Sequence, residues 1–465
     1  MNHKNETSYS RALTEQILTI TDENIPASAY EAAKILLLDT MACALAGREA
    51  PGVEAVHSQL RAWGGKAEAS VLFSNSPKLP MPNAAFTNSV MIHALDFDDI
   101  YMPGVLHITS VIVPAMLAAG EAAAATGRRA LAAMILGIET AARIGVAERN
   151  RRRSGGFLPT SLVGGFGAVI TAASLLGLTQ DQTVHALGIN YAQAAGNRQA
   201  LLDASLTKRL QPAFAVRSAL WAVGLAQAGI TGPERIFEGD AGYFKLYMNE
   251  DIPKMAELLN PSETFAVEQV SIKRYPSCGA CHAVQIAAEK LREEEALDPG
   301  DIARVETFGI PPLVAEPFQL KQNPQVAAQF SGAWAVAHTL LRGPAKLADY
   351  TDEAIRGDRE VCELTQNIKP VPYPDDLPAP PWPVKDYADK YQGVIAHTHD
   401  GLRFMRYRAP RQLFQSRMST WEAAEKKFHD SADFARIDTK KTDAIINTVK
   451  QMESSDSLAL MDINP

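Results

Sequence analysis

The strongest constraint on this chain is how long it stays helical. Segment 27–46, ASAYEAAKILLLDTMACALA, joins good helix formers to long apolar runs and is closed by Gly47. Ala/Leu-rich segments follow at about 110–126, 130–147, 160–176, 181–195 and 212–228. Gly127, Gly177 and Gly229 stand just past three of them, where a left-handed residue commonly closes a helix. Segments so rich in Ala and Gly, apolar most of the way round, predict a bundle with central, fully buried helices. The most apolar stretch, LVGGFGAVITAASLLGL (162–178), is short for a membrane span and is expected as one of those buried helices.

The pattern changes near residue 265. VEQVSIKRYP (267–276) and ARVETFGI (303–310) alternate as strands do. A helical stretch at 325–342 leads into PVPYPDDLPAPPWPV (370–384), whose prolines exclude helix and central strand and predict an extended connector or sheet edge. GVIAHTHDGLRFMRYR (393–408) predicts a hairpin turning at Asp400-Gly401. From about 411 the chain is again helical and charged, with a polar, frayed end expected after Ser454. The fold class expected is therefore mainly α: a large all-helical domain from 1–265 and 406–465, with a smaller α+β domain inserted at 266–405. A length of 465 residues suits two or three domains, and no internal repeat stands out.

Charge and cysteine usage narrow the chemistry. A net charge of −8 argues against general nucleic-acid binding, and no segment predicts a membrane span. Four cysteines, at 43, 278, 281 and 362, are too few for a disulfide scaffold and suit a cytoplasmic location. Cys278-Gly-Ala-Cys281-His282 spells the C-x-x-C-H of covalent haem attachment. The N-terminus MNHKNETSYSRALTEQ carries no apolar export segment, so haem is not expected. No second Cys/His pair lies at zinc-finger spacing, and the helical flanks do not suit a thioredoxin-like dithiol. His397 and His399 share one strand face without an evident carboxylate-rich partner, so they are not read as metal ligands.

Three polar constellations interrupt the apolar pattern. In HALDFDDIYMPGVLH (93–107), Asp96, Asp98 and Asp99 lie between His93 and His107, ahead of a helix expected near Ser110. Acids there suit N-terminal capping, yet three carboxylates so close together repel one another, as they do where pKa tuning is useful. In SLTKRLQPAFAVRSA (205–219), Lys208 and Arg209 precede a helix expected from Pro212, which suits either anion binding or a solvated basic turn. Arg149, Arg151, Arg152 and Arg153 form a third, basic cluster, read as an exposed loop before carboxylate binding.

HALDFDD, SLTKRLQPAFAVRSALWAVGLAQAGITGP, and KRYPSCGACH with the following AVQIAAEKL, in this order along the chain, resemble the MmgE/PrpD family. FEGDAGYF (237–244) and the Asp-Gly hairpin near 400 extend the likeness. The resemblance implies an active site in the cleft between a large helical and a smaller α+β domain, a homodimer, no metal and no organic cofactor. It carries the acidic position of H-x-x-D-F-D-D to Asp96, the following histidine to His107, and the lysine ahead of the helix to Lys208. It carries the lysine of K-R-[YF]-P to Lys273 and the histidine ending that motif to His282. Two departures stand out. Leu158 and Met102 occupy positions where dehydratases and decarboxylases of the family carry histidine, and Cys278 stands where the decarboxylases carry another.

The resemblance implies a di- or tricarboxylate substrate that loses a proton from the carbon beside a carboxylate. That carbon is a weak acid, so cations must stabilise the developing charge and a matched base must take the proton. Lys208 and Lys273 suit the first task, and His107 with Asp96 the second; Arg149, Cys278 and His282 are expected to touch substrate. An epimerase needs fewer proton carriers than a dehydratase or decarboxylase. The expectation is therefore a cofactor-independent isomerase acting at Cα of an aminodicarboxylate, most similar to the family's iminodisuccinate epimerases. The alternative is a 2-methylcitrate dehydratase-like or cis-aconitate decarboxylase-like lyase.

Overall fold

The protein is described here from a computed structural model, covering residues 8–149, 156–248, 258–260, 263–295, 297–384, 387–414 and 419–458. Helix accounts for 59% and strand for 8%, so the expected mainly-α class with a small α+β part holds. Among the described residues, nine longer helices form the first part of the chain: α1 (Tyr9–Leu18), α2 (Ala27–Gly47), α3 (Val53–Trp63), α4 (Met81–His93), α5 (Thr109–Ala122), α6 (Gly127–Arg149), α7 (Pro159–Leu176), α8 (Gln180–Tyr191) and α9 (Thr207–Gln227). Then come α10 (Gly279–Glu294), α11 (Gly332–Arg342), α12 (Trp421–Phe434) and α13 (Thr439–Gln451), with short helical turns between.

The bundle has the central members that its composition predicts. Helices α2, α5 and α7 are buried along most of their length. Helices α6 and α7 are also long and apolar enough to cross a membrane, but their apolar windows are 94% and 89% buried inside the protein. Their close contact depends on glycine. A Cβ on Gly137 would lie 2.0 Å from Thr171 Oγ1 and 2.8 Å from the Gly167 carbonyl oxygen. Thr171 uses that proximity, its hydroxyl lying 3.1 Å from the carbonyls of Ala133 and Gly167. Pro114 inside α5 cannot donate to the carbonyl of Ser110, and the Ser89 hydroxyl of α4 donates to it instead at 2.7 Å.

The small sheet has the order β2-β1-β3-β4, from β1 (Ile302–Phe308), β2 (Ile368–Val371), β3 (Gln392–Thr398) and β4 (Arg403–Arg408). β1 pairs parallel with β2 and antiparallel with β3, and β3 forms the expected hairpin with β4, turning through Gly401 at φ +90°. β2, which contains Pro370, lies at the sheet edge, as proline requires. Val284, Ala287 and Leu291 of α10 pack with Val305, Val394, Ala396 and Trp334 into a second core. Ala424, Phe428 and Ala432 of α12 and Ile445 and Val449 of α13 pack into the first, helical core.

Several local expectations change. Segment 267–276 is not a strand. Residues 266–269 form a 3-10 turn, and Ser271 makes a single bridge, to Ile100. Gly127 opens α6 instead of closing α5, its N–H donating to the Ser455 carbonyl across the fold. Helix α9 starts at Thr207, so Lys208 and Arg209 lie within its first turn and Pro212 is internal. The C-terminal helix α12 begins at Trp421, later than 411. His397 has a carboxylate partner after all, Glu306 across the β1–β3 pair at 2.9 Å, but it is one carboxylate and no cluster.

Helix propensity alone makes Gly137→Ala stabilising by about 1 kcal/mol. The α6–α7 contact predicts the opposite sign, a loss of about 1–3 kcal/mol as the new methyl forces the helices apart. Urea unfolding of the two proteins measures it, and a stabilised variant would contradict the close approach.

Candidate active site

Helix α4 ends at His93, and the chain turns back through Asp96, whose φ is +51°. A left-handed non-glycine residue costs roughly 1–2 kcal/mol, and aspartate is among the residues that tolerate it best. The turn drives the Asp96 carboxylate between two lysines. Lys208 Nζ donates to Oδ1, and Lys273 Nζ donates to Oδ2 at 3.1 Å and to the Asp96 carbonyl at 2.7 Å. All three side chains are buried. Burial opposes the charge on Asp96, but the two ammonium groups overcome it and hold the carboxyl well below its ordinary range. Burial opposes the charge on Lys273 too, and Asp96 with Asp98 reverses that, raising its pKa.

Different elements deliver the two lysines. Lys208 projects from the first turn of α9, where Pro212 leaves its carbonyl without a helical donor. Lys273 arrives because Ile100 and Ser271 exchange two backbone hydrogen bonds of 2.9 Å, tying segment 270–273 to the acidic loop.

The other acids of the loop have separate tasks. Asp98 accepts from His93 Nδ1 at 2.7 Å and lies 3.9 Å from His107 Nδ1. Burial raises the pKa of Asp98, but the two imidazoles outweigh that and pull it far down. Asp99 caps α5, accepting from the N–H groups of Ile108 at 3.1 Å and Thr109 at 3.0 Å. Burial first, and then repulsion from Asp98, push its carboxyl up to about 7. Capping therefore explains Asp99 but not Asp98.

His107 is the group best placed for proton transfer. Its Nδ1 lies 2.7 Å from the Asp99 carbonyl, which can only accept, so the proton is assigned to Nδ1 and the lone pair to Nε2. Burial, followed by Lys273, pulls its pKa down to about 3 against the opposing pull of Asp98 and Asp96. The ring is neutral at pH 7, and its side chain keeps 22% exposure. Thr160, in the first turn of α7, accepts from the His107 N–H at 2.9 Å.

The remaining expected site residues are placed differently. Cys278, half-buried at the N-cap of α10, lies within electrostatic reach of Asp96, Lys273 and Lys208, and burial raises its thiol pKa. Arg149 donates to the carbonyls of Met102 and, at 3.2 Å, Pro103, so it braces the turn before His107. Arg151, Arg152 and Arg153 lie outside the described residues. His282 is a wall residue, 2% exposed, with Nε2 3.3 Å from the Ser277 carbonyl and its ring between Tyr275 and Phe414. Burial and Lys273 lower its pKa to about 3.

His93, Asp96 and Asp98 bring potential ligand atoms within 4.8 Å of one another. A metal ion there would face two ammonium groups and compete with the His93–Asp98 bond, so the donor set fits a cation poorly. A hollow of about 530 Å³ lies elsewhere, lined in part by Gln193, Asn197, Gln211 and Arg217, and contains none of these residues.

The MmgE/PrpD N-terminal domain matches residues 11–256, and the MmgE/PrpD C-terminal domain matches residues 275–453. This chain belongs to the MmgE/PrpD family. A cis-aconitate decarboxylase-like protein, oryM, of Aspergillus oryzae is 28% identical over 375 residues, 76% of this chain and 77% of the relative. The cis-aconitate decarboxylase of Aspergillus terreus is 28% identical over 377 residues, 76% of each chain. That of Homo sapiens is 26% identical over 357 residues, 74% of this chain and 73% of the relative. Two of these relatives are cis-aconitate decarboxylases and the third is decarboxylase-like, so enzyme membership stands, while the isomerase class expected from the motif departures gains no support from them.

Spacing missed the pairing of His93 with Asp98, whereas the capping expected of acids ahead of a helix holds for Asp99. The quoted motif contains all three, but nothing in a linear pattern says which acid faces which partner.

The lowered pKa of His107 makes a signed prediction. Below about 6.5 the unfolded chain binds a proton that the folded imidazole refuses, so this contribution is full above 6.5 and is lost as pH falls toward 3. Between pH 7.5 and 4.5, wild type loses up to about 2 kcal/mol relative to His107→Gln. Urea unfolding at the two pH values measures this, and an equal difference at both would contradict a neutral, half-buried His107.

Proposed function

We propose that this protein is a cofactor-independent lyase acting on a di- or tricarboxylate, by proton transfer at a carbon beside a carboxylate. The observation that carries this reading is the Asp96 carboxylate held between buried Lys208 and Lys273, with neutral His107 alongside. A substrate carboxylate entering the site competes with Asp96 for those lysines. Negative charge that develops when the neighbouring carbon loses a proton or carbon dioxide is then stabilised by fixed ammonium groups with little reorganisation. His107 carries the proton at Nε2. The lyase class is favoured by the cis-aconitate decarboxylases that align over about three quarters of the chain.

A second reading, an epimerase acting at Cα of an aminodicarboxylate such as iminodisuccinate, is favoured by Leu158 and Cys278. These side chains stand where the family resemblance places histidines, and an epimerase needs fewer proton carriers. Incubation in D₂O with cis-aconitate, 2-methylcitrate and iminodisuccinate, followed by NMR, separates the two. Loss of carbon dioxide or water from a tricarboxylate supports the lyase. Deuterium at Cα of iminodisuccinate with stereochemical scrambling, and no lyase product, replaces it with the epimerase. No change in any substrate sinks both. For whichever reaction is seen, Lys208→Met is expected to lower kcat by about 10²–10³-fold, the scale of losing one charge-stabilising donor.

We also propose a homodimer. Phe214, Trp221 and Leu225 are exposed along one side of α9 at spacings of seven and four residues. A second copy of the chain is assigned to this stripe, as the symmetric partner expected for an apolar strip on an enzyme of this size. Light scattering on the wild type and on Trp221→Glu tests it: a dimer that becomes monomeric is expected, and a dimer unaffected by the change places the interface elsewhere.

A further inference from the structure

The site has a third buried lysine that the proton-transfer chemistry does not use. Lys427 lies on the face of α12 that packs against α2, among the buried residues Ala424, Phe428 and Ser431. Its Nζ is 2.6 Å from Asp39 Oδ1 in the middle of α2 and 2.6 Å from the Phe97 carbonyl. It also lies 3.9 Å from the centre of the Phe97 ring. One ammonium group therefore holds Phe97 by both its backbone and its side chain, at the residue following the left-handed Asp96.

A buried ion pair is weak support for a fold, because apolar side chains of similar volume stabilise about as well. Packing α12 on α2 therefore does not by itself call for Lys427 and Asp39. What the pair supplies is direction. Asp39 supplies the counter-charge, Cys43 lies beside the ammonium on the same helix, and the contacts that reach the acidic loop both go to Phe97. A strained backbone conformation persists only where its surroundings over-determine it. The loop is held residue by residue: Asp96 by two lysines, Phe97 by Lys427, Asp98 by His93 and Asp99 by the start of α5.

We propose that Lys427 is a positioning residue, acting through Phe97 to keep Asp96 in the conformation that lets one carboxylate meet both lysines. The proposal rests on Asp96, Lys208 and Lys273 being the reactive site.

Removing Lys427 alone would leave Asp39 buried without its counter-charge, so the informative variant is Asp39→Leu/Lys427→Met, in which both charges go together. The double variant is expected to melt within a few degrees of wild type. Its kcat should fall at least about tenfold while KM stays within about threefold, because misplacement of a reactive group by an ångström costs rate before affinity. Lys427→Arg keeps the charge and a donor toward Phe97 and is expected to recover most of kcat. In a crystal structure of the double variant, Asp96 is expected to leave positive φ and lose one lysine. Wild-type kcat with Asp96 still left-handed overturns the proposal. If wild type turns over none of the three substrates, the functional reading fails, and the Asp96 conformation in that crystal structure still decides the role of Lys427.

Discussion

A single carboxylate, Asp96, held by two buried ammonium groups is the constraint on which the rest of this structure depends. Each of these ions would cost several kcal/mol to bury alone, so all three must arrive together in matching geometry. Lys208 comes from a helix start, Lys273 from an irregular segment and Asp96 from a left-handed turn, and no two share an element. The bundle fixes α4 and α9, and the Ile100–Ser271 bridge fixes the third approach. The helical core positions the charges; it does not contain the chemistry.

The same arrangement separates two kinds of titratable group in one loop. Asp96 and Asp98 are kept ionised by cations and imidazoles, while Asp99, an acid one residue along, is driven up to about 7 by burial and by Asp98. His107 is kept neutral among them. A neutral imidazole and a polarising cation pair within a single buried cluster are what abstraction or delivery of a proton beside a carboxylate calls for.

Much of the scaffold is readable in the chain. Apolar runs mark α2, α5, α7 and α9, glycines close α7 and α9, and the Asp-Gly turn and the prolines mark the hairpin and the sheet edge. The failures have physical reasons. Residues 267–276 alternate because Val267, Val270 and Ile272 are buried while the segment crosses the acidic loop, so the period reflects two-sided burial and no ladder. Pro212 reads as a helix start, yet α9 tolerates it internally one turn after Lys208. Asp96, His107, Lys208 and Lys273 were found through the family's motifs, because no spacing rule links residues so far apart. His282 ends the K-R-[YF]-P motif and packs in the wall beside Tyr275 and Phe414, and Arg149, from the basic cluster, braces the turn before His107. Lys427 carries no signal at all: in KKFHD it looks like any charged residue of a solvated helix.

The order in which these groups enter the chain has a consequence for biosynthesis. The acidic loop is complete by residue 99, but its partners lie 112, 177 and 330 positions beyond their contacts. As the polypeptide emerges from the ribosome, Asp96 waits for Lys273 until more than half of the chain has been made, and Phe97 waits for Lys427 until almost all of it has. Contacts of such long separation form late and slowly. A nascent or prematurely terminated product lacking α12 would expose Asp39 and the apolar face of α2 together, the kind of surface that chaperones and proteases engage.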